Sequence, residues 1–99
     1  MSNRGPLSGY NKYTNHEVIG LAIISLERPN KKSFRPVEVA EEVEFVADKL
    51  NHKTSSRNIK TMTVMYLHTF ESFFDRVGYS KYKLNKTGRD RVNRVFELV

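Results

Sequence analysis

The run from Lys49 to Phe70, KLNHKTSSRNIKTMTVMYLHTF, constrains the fold more than any other stretch of this chain. Read as a helix starting near Ser55 or Ser56, at roughly 100° per residue, it gathers Ile59, Met62, Thr63, Tyr66, Leu67 and Phe70 on one side. Arg57, Lys60, Thr61, Val64 and His68 fall on the other. Such a helix lays one side on a core and leaves the other to solvent or a partner. No acidic residue lies between Asp48 and Glu71, whereas Lys49, Lys53, Arg57 and Lys60 gather at or just before the helix start. An anionic partner suits that face.

A chain of 99 residues forms one domain with little surplus core, so a dimer would help it. Lys and Arg number 17 against 11 Asp and Glu, a formal net charge of +6, which favours nucleic acid or another anionic surface over acidic proteins. The absence of cysteine excludes disulfides, thiolate metal sites and a Cys nucleophile. No apolar run reaches the roughly 18 residues of a membrane span, and no apolar signal segment opens the chain. A soluble, cytoplasmic protein is expected.

Residues 1–13 show no apolar periodicity and read as a flexible arm carrying Arg4 and Lys12, with Tyr10 and Tyr13 able to dock on the domain that spans 14–99. Thr14-Asn15-His16-Glu17 is a capping box that starts a first helix. That helix is apolar on nearly every side (Val18, Ile19, Leu21, Ala22, Ile23, Ile24, Leu26) and ends before Pro29. Phe34 between polar neighbours suits a brief strand or extended link, and Pro36 suits the first position of a second helix. From Pro36 to Leu50, Val39, Ala40, Val43, Val46, Ala47 and Leu50 recur at helical spacing while Glu38, Glu41, Glu42, Glu44 and Asp48 cover the outer side. A strand within Phe73 to Val77, a turn at Gly78-Tyr79-Ser80 and alternation in Lys81-Tyr82-Lys83-Leu84 predict a short hairpin with Arg76, Lys81 and Lys83 on its exposed side or tip. Asn85 caps a last helix with Val92, Val95, Phe96 and Val99 as its apolar stripe, and Gly88 marks close contact with the hairpin.

This succession resembles the winged helix-turn-helix family. Pro36-Val37-Glu38-Val39-Ala40-Glu41-Glu42-Val43 is similar to the family's second-helix phrase, and Tyr82-Lys83-Leu84-Asn85-Lys86-Thr87-Gly88-Arg89 to the end of its wing and start of its closing helix in small archaeal, bacterial or viral regulators. Asn85 stands where the family usually has Thr. The interval from Pro36 to the third helix is longer than the family norm, and the hairpin is short. The resemblance implies an α+β, mostly α fold: a three-helix core, a short β-hairpin wing and a C-terminal helix. It also implies transcription regulation, by a repressor or another regulator, through sequence-specific binding of double-stranded DNA, with the third helix in the major groove and the wing on the backbone.

On that pattern Ser56, Arg57, Lys60, Thr61 and Val64 face bases, with Arg57 able to pair with guanine O6 and N7. Lys53, Ser55, Arg76, Lys81 and Lys83 fall on the backbone, and His52 at its border. A homodimer is expected because the apolar surface of the first and last helices exceeds what one small core covers. The same fold also serves as a protein-interaction module without DNA, here through Val64, Met65 and the first helix, and a third reading is structured RNA on the basic face. His16, His52 and His68 form no metal-ligand spacing, and no phosphate loop or nucleophile motif occurs, so no metal, cofactor or enzymatic activity is expected. Met62, Met65, Tyr66 and Phe70 read as core or interface side chains rather than a ligand box.

Overall fold

Thr14 and Glu17 start the first helix reciprocally: the Thr14 hydroxyl accepts from the Glu17 N–H at 3.3 Å, and the Glu17 carboxylate accepts from the Thr14 N–H at 2.9 Å. The computed structural model describes residues 12–53 and 58–98. Among them run α1 (Asn15–Leu26), α2 (Pro36–Lys49), α3 (Ile59–Thr69), β1 (Phe74–Gly78), β2 (Lys81–Leu84) and α4 (Lys86–Val95). The fold is α+β and mostly helical, with one two-stranded antiparallel hairpin. No described helix is long and apolar enough to cross a membrane.

The core joins all of these elements. Val18, Ile19, Ala22 and Ile23 of α1 meet Val39, Val43 and Val46 of α2, Met62 and Leu67 of α3, Phe74, Tyr82 and Leu84 of the hairpin, and Val92 of α4. Each such aliphatic or aromatic side chain removed from water stabilises the fold by about 1.5–3 kcal/mol. Phe34, between α1 and α2, exchanges both backbone hydrogen bonds with Tyr82, at 2.8 and 2.9 Å. The expected extended link is therefore an isolated bridge that lies against β2 on the side away from β1.

The last helix is tied down by charge as well as by Val92. Arg89 grips the buried Glu27 carboxylate with both terminal nitrogens, one of them at 2.9 Å, and this hydrogen bonding raises the Arg89 pKa. Arg91 Nε donates to Glu17 at 3.1 Å. The apolar stripe of α4 is largely covered by its own chain, since Tyr13 stacks on Phe96 with ring centroids 4.4 Å apart and Val95 is half-buried. Leu21, Ile24 and Leu26 of α1 are also partly buried against the core. The excess apolar surface expected on the first and last helices is thus mostly satisfied internally. Residues 1–11, most of the expected arm, and Val99 lie outside the described residues.

α2 stops in a Schellman motif. Asn51 takes a left-handed conformation (φ 57°), the His52 N–H reaches the Ala47 carbonyl at 2.8 Å and the Asn51 N–H reaches the Asp48 carbonyl at 3.2 Å. This carries His52 inward, where it is buried and its Nε2 meets Asn15 Oδ1 at 2.8 Å. The placement of His52 at a DNA border is therefore corrected: the ring clamps the turn after α2 to the start of α1.

Burial lowers the His52 pKa below its ordinary 6.5, and Nδ1 has no hydrogen-bond partner among the described residues. His16, stacked on Phe70 at 4.3 Å, is lowered first by burial and then by Arg91, with Glu17 opposing. Below the unfolded-state value the unfolded chain takes protons that these folded rings refuse, so stability is full above about pH 6.5 and falls as the pH drops through 6 toward 5. The melting temperature should be lower at pH 5 than at pH 7.5. His52→Gln should flatten that dependence; an unchanged slope would contradict the role given to His52.

Candidate nucleic-acid interface

α3 buries the side that its sequence predicts. Ile59, Met62, Thr63 and Leu67 are buried and Tyr66 and Phe70 half-buried, while Lys60, Thr61, Met65 and His68 are exposed and Val64 is half-buried. The exposed residues form one stripe along the helix, spaced three and four apart. The helix runs from Ile59, and Asn58 before it makes no side-chain cap. The start expected at Ser55 or Ser56 lies outside the described residues, and Arg57 with it.

The stripe itself carries no acid, but acids stand at both its ends. Lys60 shares a shallow groove with Val37, Glu41 and Glu44 of α2. Lys60 makes no ion pair among the described residues. At the other end a groove of about 670 Å³ separates α3 from β1, with His68, Glu71, Asp75 and Arg76 in its walls. The remaining acids of α2 are turned elsewhere: Glu38, for instance, binds Lys31 at 2.8 Å and the Arg35 N–H at 2.9 Å. The Arg35 hydrogen bond and then Lys31 lower its pKa.

The hairpin is fastened to α3 by a side-chain hydrogen bond. Tyr82, on β2, places its hydroxyl 2.6 Å from His68 Nδ1. No local sequence signal announces this bond, because it needs both the buried tyrosine and the hairpin register. It fixes the position of the hairpin relative to the exposed stripe.

The register also divides the hairpin cations between two faces. Arg76 lies opposite Tyr82, Asp75 opposite Lys83 and Gly78 opposite Lys81, with an irregularity between Arg76 and Gly78. Directly opposed residues share a face, and alternate residues do too. Arg76 therefore extends the face of buried Tyr82, next to α3, while Lys81 and Lys83 occupy the opposite face. All three are exposed as expected. Lys83 lines both the groove beside α3, with His68 and Arg76, and a second one with Lys32, Lys86 and Arg89. At the expected turn Tyr79 is 89% exposed, and Val77 in the strand before it is 47% exposed. Lys53 is exposed beside the turn after α2, with Nζ 3.4 Å from Asn51 Oδ1.

In chemical terms the surface offers separated ammonium and guanidinium groups, able to neutralise phosphates, around a helix stripe with a hydroxyl (Thr61) and apolar groups (Val64, Met65). No protein-family model, curated protein or solved structure matches this chain.

Proposed function

We propose that the chain is a winged helix-turn-helix domain that binds double-stranded DNA and acts as a transcription regulator. In this reading α3 enters the major groove and the hairpin is the wing, lying on the flanking backbone. The helix order supports it, as does the pairing of Phe34 with β2, which gives the short strand between α1 and α2 a place beside the hairpin. The observation that carries it is the uncovered, acid-free stripe Lys60, Thr61, Val64, Met65 and His68, held beside Arg76 by the His68–Tyr82 hydrogen bond.

Base recognition falls to Lys60, Thr61 and Val64, together with Ser56 and Arg57 by their sequence positions. Lys53, Ser55, Arg76, Lys81 and Lys83 serve phosphates. A second reading, a protein-binding winged helix, draws on Met65, which is 52% exposed on the same stripe, and on Val37. A partner protein would cover them as apolar contacts, whereas in a duplex the apolar contacts with thymine methyls fall to Thr61 and Val64.

Duplexes selected from a random pool separate the roles. Lys81→Ala should weaken binding to selected and scrambled duplexes alike, by about threefold to tenfold at 0.1 M salt. Arg57→Ala or Lys60→Ala should narrow the gap between them by about 1–3 kcal/mol. Equal losses on every sequence from all three changes would sink the division into base and backbone contacts, and selection of structured RNA over the duplex would sink the DNA reading.

A further inference from the structure

Phe45 is an aromatic side chain in the middle of α2 that the core leaves 56% exposed. With Leu21, Val46 and Leu50 it lines a shallow groove of about 200 Å³ between α1 and α2, and Glu42 and Lys49 stand on the rim. Spacings of three and four place Glu42, Phe45 and Lys49 on one stripe of the helix. Among the described residues neither Glu42 nor Lys49 is in an ion pair. Lys49 instead holds its ammonium over the Phe45 ring, 4.5 Å from the centroid. The stripe thus has an apolar centre, an acid at one end and a base at the other.

We propose that this face is a homodimer interface, in which α2 lies antiparallel to α2 of a second copy about a two-fold axis beside Phe45. A symmetric contact must be complementary to itself, and this stripe is. Turning α2 end for end about the Phe45–Val46 step brings Glu42 opposite the second copy's Lys49, and the symmetry repeats the pair. Phe45 then enters the groove floored by Leu21, Val46 and Leu50 of its neighbour. Self-complementary charge selects a second copy of the chain over a partner of a single charge sign.

Glu41 and Glu44 face the groove against α3, and Glu38 is paired with Lys31. The interface leaves the outer stripe of α3 open on the opposite flank of α2, so it is independent of DNA binding. Of the two helices expected to supply the dimer contact it uses the first, through the α1–α2 groove, and not the last, where Tyr13 already stacks on Phe96.

Sedimentation equilibrium of the full chain over micromolar concentrations, with circular dichroism to verify folding, tests the proposal. The wild type should form a dimer. Phe45→Ser, a change at an exposed site, should weaken it by about 30-fold or more. Glu42→Lys or Lys49→Glu alone should weaken it about tenfold, since each sets like charges together twice. The double reversal should restore the wild-type dimer to within about threefold. A monomer at every concentration, a dimer indifferent to Phe45→Ser, or a double reversal no better than the singles would each overturn the proposal.

Discussion

Replacing Gly88 with alanine should lower the stability of the domain by about 2 kcal/mol, and valine should leave most of the chain unfolded at room temperature. A Cβ at this position would lie 2.7 Å from Leu84 Cδ1, 2.8 Å from the Phe73 carbonyl oxygen and 3.0 Å from the Phe73 Cα. The leucine methyl can move. The Phe73 backbone is held, since its oxygen accepts from the Asn85 N–H at 2.8 Å and its N–H donates to the Phe70 carbonyl at 3.1 Å. Overpacking of this kind costs about 1–3 kcal/mol, and the better helix propensity of alanine offsets only about 1; alanine therefore falls near the upper end of the clash less that gain. Urea unfolding of Gly88→Ala should show a lower midpoint with an unchanged slope. A midpoint equal to wild type would mean that α4 does not approach the hairpin as described.

The second large effect concerns binding alone. A variant carrying Lys60→Gln, Arg76→Gln, Lys81→Gln and Lys83→Gln should bind a selected duplex about 10³-fold more weakly at 0.1 M salt or worse, because each of the three hairpin cations withdrawn from a phosphate takes with it nearly one decade of counterion-release affinity and Lys60 takes its base contact. Its melting temperature should stay within about 2 °C of wild type, since exposed residues outside ion pairs contribute little to stability. None of these residues is in an ion pair among the described residues. Filter binding or fluorescence anisotropy reads the loss. Undiminished affinity in a folded variant would show that these cations do not touch the duplex.

The features legible in the sequence are the local ones. The capping pair Thr14 and Glu17, Pro36 at the first turn of α2, and Asn85, which accepts from the Gly88 N–H at 2.8 Å, each act within one helical turn. The buried side of α3 is equally plain, because helical spacing alone defines it. Features that depend on residues brought together by the fold are hidden from such a reading. His52 resembles a surface residue in its sequence because the left-handed turn at Asn51 and the waiting side chain of Asn15 are not written in its neighbourhood. The Arg89–Glu27 clamp and the Phe34–Tyr82 bridge likewise join distant segments.

For the candidate interface, exposure of Lys60, Thr61, Arg76, Lys81 and Lys83 is legible from composition and alternation. The irregularity between Arg76 and Gly78 is not. Phe45 defies the pattern in a different way. It sits off the apolar stripe of α2, so helical spacing of core positions passes over it.

The salt dependence of binding tests the central claim most directly. With a selected duplex, the logarithm of the association constant should fall linearly with the logarithm of salt concentration, with a slope of about −4 if Lys53, Arg76, Lys81 and Lys83 serve phosphates. A flat response, or no saturable binding by the folded chain to any duplex from the pool, would contradict the assignment of α3 and the hairpin to DNA.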